Sequence, residues 1–355
     1  MSKNTQRAEA IAQERFEESL ANIASVESTP FAPQAEGDAV KPGEMYLANE
    51  SAFITAHFNE PLTTYAVGWR DQTGIADLLD FLAPPVPVSR RFTYKEFIQA
   101  EAFLADSANG DLRAIGQEFP TVKFTGKETL GRTDNRGLRI RIDLDEVSDP
   151  DSVLAGGVPA YQARAVEQIK TRLIRNSVLR AIALYQAAAV NTAKTWGTTA
   201  GTDPDADVLS DLLTGATARG FQSNRVLYGH TSWTKRILSH RAQNNAGGYA
   251  SAGLKPDEVA AFLGLDAVML NKSRYLSGSS LAEVVGNLVL EFFSSPDANL
   301  EDPSNMKRFV SATDGGTDFR VYVQQVTSKL IDITVEKYEV IKVTSNLGIR
   351  TLTIS

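Results

Sequence analysis

The 355-residue chain has no cysteine and only three histidines, His57, His230 and His240. The first absence removes disulfides, thiolate metal sites, iron–sulfur clusters and a cysteine nucleophile together. The second leaves few imidazoles for acid–base work. Excess positive charge is also missing. The net charge is −7, which argues against a chain that holds nucleic acid by bulk electrostatics. Long apolar runs are absent too: the longest, around Val284 to Phe293, carries Asn287 and Glu291 and falls short of a membrane span. The first twenty residues mix charged and small apolar side chains with no apolar signal core, so a soluble chain without an export signal is expected. No Gly-x-x-x-x-Gly-Lys, Gly-x-Gly-x-x-Gly, His-Glu-x-x-His or Gly-x-Ser-x-Gly pattern occurs.

What is present is ordinary globular composition, 43% hydrophobic and 22% charged, enough for one large domain or two of usual size. Ala12, Phe16, Leu20 and Ile23 form a narrow helical stripe. Ser25 to Glu50, with Pro30, Pro33, Pro42 and Gly43, has no period and reads as an extended arm. The first sixty residues hold four basic and ten acidic side chains, so the arm carries most of the net negative charge.

Ala83 to Val88 is proline-rich and extended, leading into Arg91 to Phe97, where Phe92 and Tyr94 alternate. Phe119–Phe124 and Leu138–Leu144 both show period two. With the turn-rich Gly131–Gly137 between them they predict a long β-hairpin. Val158-Pro159 then opens a helical run predicted to reach about Thr195, with Val166, Ile169, Leu173, Val178, Ile182, Tyr185 and Ala189 close to helical spacing. Downstream, helices are predicted over Asp205–Arg219, Thr231–His240 and Pro256–Leu263. Strands are predicted over Arg225–Tyr228, Ala267–Leu270, Leu288–Phe293, Leu330–Val343 and Ile349–Ile354. A loop is predicted over Asn244–Gly253, and a tight hairpin turn at Asp314-Gly315-Gly316 between Phe309 and Phe319–Val326. Strands and helices mix without regular βαβ alternation, so the class is α+β.

Three chemical readings can be weighed. Asp203-Pro204-Asp205-Ala206-Asp207 imitates the start of a calcium loop, but Val208 replaces the turn glycine and Thr214 the closing glutamate; helix capping is the better reading. Asp143, Asp145, Glu146, Asp149 and Asp151 could supply a carboxylate pair or a divalent-ion site. Without a basic or aromatic platform beside them, they read as a solvated strand-to-helix connection. His230 and His240 are ten residues apart, not at the spacing of a metal-binding helix face.

The basic segments carry more weight. Pro120 to Ile142 holds Lys123, Lys127, Arg132, Arg136, Arg139 and Arg141 against Glu128 and Asp134. The long helical run holds six basic residues against Glu167. A nucleic-acid groove, solvated faces, and contacts to the acidic arm of a neighbouring subunit are the open readings. The last is favoured physically. A lone two-stranded hairpin is marginal in water, and an arm without a core stays unordered unless it lies on something. Such a chain is built to be completed by copies of itself.

On these residues the chain resembles the major capsid proteins of tailed double-stranded DNA phages, whose fold is shared with encapsulins and the herpesvirus capsid floor. Arg113-Ala114-Ile115-Gly116 resembles the stretch before the family's extended loop. Leu138–Glu146 is similar to that loop's returning strand, and Tyr161–Ala189 to the spine helix. Arg225–Gly229 followed by Trp233, Leu238 and His240, and Leu263–Asp266 before Ala267–Leu270, resemble later passages of the fold. The resemblance runs over roughly Pro85 to Val343.

It implies an N-terminal arm (1–60), a first part of a peripheral domain (61–115), an extended β-hairpin loop (116–147), the remaining peripheral domain with its spine helix (148–200), an axial domain (201–324) and C-terminal strands returning to the peripheral domain (325–355). It also implies a non-enzymatic shell subunit without cofactor or metal, forming pentamers and hexamers around packaged DNA. Scaffolding, portal and decoration proteins would be its partners, in the virion and, during assembly, in the host cytoplasm. The six basic residues Lys123 to Arg141 become the expected inter-subunit contacts. A protein nanocompartment shell of the encapsulin kind, or an α+β hydrolase using the acidic cluster, are the alternatives. Some family members crosslink a loop lysine to an asparagine; Lys123 and Lys127 qualify by location only.

Overall fold

The computed structural model describes residues 56–69, 74–97, 113, 118, 127–147, 157–198, 201–311 and 319–355. Residues 1–55 of the acidic arm with the Ala12–Ile23 stripe, Phe119–Phe124, Lys123, Asp149, Asp151 and the Asp314-Gly315-Gly316 turn lie outside them. The chain divides into two compact units. Among the described residues, 56–69, 134–147, 157–175, 311 and 319–339 belong to the first, and the remainder belong to the second.

In the first unit, helix α1 (Glu60–Gly68) starts where the Asn59 side chain accepts a hydrogen bond from the Leu62 N–H at 2.8 Å, with Pro61 in the first turn. Strands β4 (Asp134–Asp143), β12 (Arg320–Gln325) and β13 (Leu330–Val343) pair antiparallel, with β13 between the other two. α1 is tied to β12: the Asn59 N–H donates to the Val321 carbonyl at 3.0 Å, and the Val321 N–H donates to the Thr63 hydroxyl at 3.1 Å. A one-turn helix α3 (Leu144–Val147) follows β4.

The second unit is built on a five-stranded sheet, in order β5 (Val190–Lys194), β14 (Arg350–Ile354), β10 (Leu288–Phe292), β6 (Arg225–Gly229) and β7 (Ala267–Asn271). The β5–β14 and β6–β7 pairs are parallel and the inner ones antiparallel. One face carries Val226, Tyr228, Val289, Leu352 and Ile354. They pack against Val208 and Leu212 of α5 (Pro204–Arg219), Trp233 of α6 (His230–Ala242) and Val259 and Leu263 of α8 (Pro256–Leu263). On the other face Phe292 meets Phe81 of α2 (Ile75–Leu82) at 5.5 Å between ring centroids, and Tyr185 at 4.9 Å. Tyr185 lies near the end of the long helix α4 (Gly157–Ala188) and donates its hydroxyl to the Leu82 carbonyl. A smaller core joins Val86 of β1 (Pro85–Val88), Phe92 and Tyr94 of β2 (Arg91–Glu96) and Phe309 of β11 (Met306–Ser311). β2 forms a two-stranded ribbon with β3 (Lys127–Arg132), and β8 (Arg274–Ser277) forms another with β9 (Ser280–Glu283).

The long helical run is a helix, and its predicted stripe from Val166 to Tyr185 is buried. Thirty-two residues at 1.5 Å rise make it ~48 Å long. It ends at Ala188 rather than near Thr195, because Val190–Lys194 is captured as a parallel strand beside β14. The predicted partner of Leu138–Leu144, Phe119–Phe124, lies outside the described residues; β4 pairs along all ten residues with β13, and β3 pairs with β2. Two other expectations are corrected. β11 and β12 form no hairpin, since β13 lies between them in the strand order. The Asn244–Gly253 loop contains helix α7 (Ala246–Gly253), which starts where the Asn245 side chain accepts from the Gly248 N–H at 2.6 Å.

Candidate functional site

The basic residues singled out from the sequence lie on two different ladders. Arg136, Arg139 and Arg141 are on β4 in the first unit. Arg141 grips Asp332 of β13 with two parallel bonds, Nε to Oδ1 at 2.7 Å and Nη2 to Oδ2 at 2.9 Å. Arg139 adds a contact at 3.2 Å to the same carboxylate, whose side chain is 2% exposed although both arginines are open to solvent. The hydrogen bond from Arg141, aided by both guanidinium charges and opposed by burial, holds the Asp332 carboxyl below its usual range. Arg136 pairs with Asp134 at 2.8 Å.

Lys127 and Arg132 are on β3 in the second unit, at opposite ends of the ribbon. Both are exposed, and neither forms an ion pair among the described residues. Between them Leu130 is 85% exposed. Of the six positions, three are engaged within the chain, two are exposed on β3, and Lys123 is outside the described residues.

The acidic positions separate in the same way. Asp143 Oδ1 accepts the Asp145 N–H at 3.0 Å, and Asp145 pairs with Lys329 at 2.6 Å. Among the described residues no group of three or more His, Asp or Glu side chains is arranged to hold a metal ion. The calcium-like segment disperses its carboxylates. Asp203 caps α5 by accepting from the N–H groups of Asp205 and Ala206, and Asp207 takes Lys194 and the Trp196 indole N–H. Asp205 turns inward.

That inward turn builds a buried polar cluster in the second unit. Asp205 receives Arg236 through two bonds, at 2.6 and 2.7 Å, and faces His240 Nε2 at 3.1 Å; all three side chains are buried. Arg236 also lies over the Trp233 ring at 5.0 Å. Burial pushes the Asp205 carboxyl up, but the hydrogen bonds from His240 and Arg236 outweigh it and hold the group below its usual range. A charge-assisted pair of this kind ties α5 to α6. Sequence reading missed it, although Arg236 and His240, four residues apart on one helix, lie on a common face.

Further buried charges are also paired. Asp211 on α5 binds Arg350 of β14 at 2.6 Å, and Lys307 binds Asp302 at 3.0 Å. In the first unit Lys337 binds Glu339 at 2.7 Å, and Lys170 donates to the carbonyls of Ala66 and Trp69 beneath the Trp69 and Phe319 rings. A groove of about 610 Å³ runs beside the β2–β3 ribbon between Tyr94 and Leu300, bridged by Lys95 and Glu301 at 2.9 Å. Its lining is mostly apolar, and among the described residues its charged groups are Lys95, Glu128 and Glu301.

No protein-family model matches the sequence, and no curated protein does. Among solved structures, a phage-related protein of Bordetella bronchiseptica RB50 matches with a TM-score of 0.60 and 18% identity, over 83% of this chain and 96% of that one. A chain of the capsid structure of cyanophage P-SCSP1u matches with a TM-score of 0.49 and 12% identity, over 92% and 93%. A chain of Mycobacterium phage Adephagia gives 0.45 and 11%, over 81% and 92%. The first match shows that the chain shares the fold of the Bordetella protein across nearly its whole length. No helix among the described residues is long and apolar enough to cross a membrane.

Proposed function

We propose that the chain is the structural subunit of an icosahedral viral shell, assembling into pentamers and hexamers around packaged double-stranded DNA, with no enzymatic activity of its own. The observation that carries the reading is the common fold with the phage-related protein over 96% of that chain. The resemblance of Leu138–Glu146, Tyr161–Ala189 and Arg225–Gly229 to capsid-protein passages points the same way. In this reading residues 116–147 form the extended loop, 201–324 the axial domain and 1–60 an acidic arm laid on a neighbour.

The mechanism is collective. Interfaces of roughly 2,000 Å² or more per pair, repeated around each subunit, make a closed shell stable although each contact is modest. Lys123, Lys127, Arg132, Arg136, Arg139 and Arg141 are the proposed contacts to acidic surfaces of neighbours. Lys127 and Arg132 come first among them because they are exposed and form no ion pair among the described residues. Scaffolding, portal and decoration proteins, the host cytoplasm during assembly and the virion afterwards complete the proposal.

Sedimentation of the expressed protein, with nuclease treatment before and after particle disruption, tests it. Fast-sedimenting particles of many copies, containing nuclease-protected DNA when produced in the infected host, support a virion shell. Particles filled with a second protein and no DNA would replace it by a nanocompartment shell. A small oligomer with a saturable activity would overturn it.

A further inference from the structure

The central strand β10 of the second unit carries a carboxylic acid where a hydrophobe would be expected. Glu291 is 1% exposed, its neighbours in the strand are Leu290 and Phe292, and neither side-chain oxygen has a hydrogen-bond partner among the described residues. An ionised carboxylate in that position would be among the costliest groups a core can hold. The sheet register shows what surrounds it. Glu291 is opposite Arg350 on β14 and Val226 on β6, so its side chain joins the face that also carries Tyr228. Above that face lies α5, whose Asp211 is the group that holds the Arg350 guanidinium. Arg350 is spent on Asp211 and on the Thr192 hydroxyl of β5. A further carboxylate oxygen, Asp211 Oδ2, is also buried without a hydrogen-bond partner among the described residues.

The charges near Glu291 are therefore one anion, Asp211, and one cation already paired with that anion. Tyr228 contributes a buried phenol whose own proton is held tightly by burial, with the Asp205 charge adding to it. Arg225, on the adjacent β6, is opposite Phe292 and points to the other face, where it donates to the Phe81 carbonyl. Arg236 on α6, which opposes the Asp205 charge at Tyr228, is itself held by Asp205, so among the described residues no uncommitted cation on this face compensates a second negative charge.

We propose that Glu291, with Asp211 and Arg350, forms a buried proton-binding site: Glu291 is the neutral acid at neutral pH, and loss of its proton loosens the central sheet of the second unit. Burial, and then the Asp211 charge, push the Glu291 carboxyl well above its usual range, with Arg350 opposing. The sign follows. A group that binds its proton more tightly folded than unfolded contributes stability that is full below the unfolded value, about 4.3, and is lost as pH rises through the folded one. The site makes this unit alkali-labile. Lys307, buried in the same unit and depressed by that burial, acts in the opposite sense, so it does not produce the same loss.

The test is thermal unfolding of the full chain from about pH 6 to about pH 9, followed by fluorescence of Trp196 and Trp233, which sit in the core beside this face. Wild type is compared with Glu291→Gln and Glu291→Met. Wild type should lose at least ~3 °C more than either variant across that range, and the Met variant should fold at neutral pH with melting at or above wild type. Parallel profiles for all three proteins would overturn the proposal. So would variants that both fail to fold at neutral pH, since the side chain would then be needed for a bond that a neutral acid does not make.

Discussion

Arg141 and Asp332 are opposite each other on antiparallel strands, and the arginine closes both oxygens of a carboxylate that the fold has buried. A cation expected to reach for a neighbouring subunit thus has an occupation inside its own unit. Arg141→Ala should lower the melting temperature of the first unit, and Asp332→Asn should do so less, because it leaves a neutral amide rather than a buried carboxylate held by Arg139 alone. The Asp332 contribution is present above the ordinary carboxylate range and lost as pH falls through its lowered folded value. The wild-type melting curve should therefore steepen in acid in a way that the Asn variant does not. Equal acid sensitivity in the two proteins would contradict this assignment.

The Asp205–Arg236 pair makes a stronger demand, because both partners are buried. Arg236→Met leaves the Asp205 carboxylate with only His240 beside it and should cost about 3–5 kcal/mol, measured by urea unfolding. Asp205→Asn combined with Arg236→Met removes both charges and should recover part of that loss. A double variant as unstable as the sum of its parts would show that the two groups act independently.

Gly229 ends β6 where a Cβ would stand 2.0 Å from the Gly286 carbonyl oxygen, a backbone atom that cannot step aside. Gly229→Ala should destabilise by about 1–3 kcal/mol or more. Gly253, at the end of α7 with nothing within 4 Å of the corresponding position, is the control. There alanine should be neutral or gain up to about 1 kcal/mol. The comparison separates crowding from any general intolerance of alanine.

Much of this architecture was readable, because a strand buried on one face writes itself as alternation. Leu330–Val343 was predicted to the residue, and Val166 to Tyr185 was recognised as a helix stripe. What failed was pairing. The period-two pattern of Leu138–Leu144 shows that one face is covered but says nothing about which strand covers the edge, and β13 lies almost two hundred residues away. Val190–Lys194 continued a helical pattern until its parallel partner β14, at the end of the chain, overrode it. The Asp205 cluster was hidden for another reason. A carboxylate in the first turn of a helix already has a local explanation, as a complement to the helix dipole, so the buried guanidinium facing it left no mark in spacing. Glu291 did show itself, as an acid inside an apolar run, and was read only as a reason against a membrane span.

The assembly role proposed for the ribbon separates from folding. Lys127→Gln with Arg132→Gln alters two exposed side chains without ion-pair partners among the described residues, so folding stability should move by no more than about 0.5 kcal/mol. If the ribbon contacts acidic surfaces of neighbouring copies, the same variant should assemble more slowly or to a lower yield, and the gap should narrow as salt rises. Shells formed at the wild-type rate and yield at physiological salt would remove these two residues from the interface.

The most direct test of the central claim is electron microscopy of the purified chain with light scattering for mass, over a range of protein concentrations and in the presence of a crowding polymer. A shell subunit predicts closed particles, or rings of five or six copies, that become more abundant with concentration. A uniform monomer or dimer at every concentration and crowding level would contradict it.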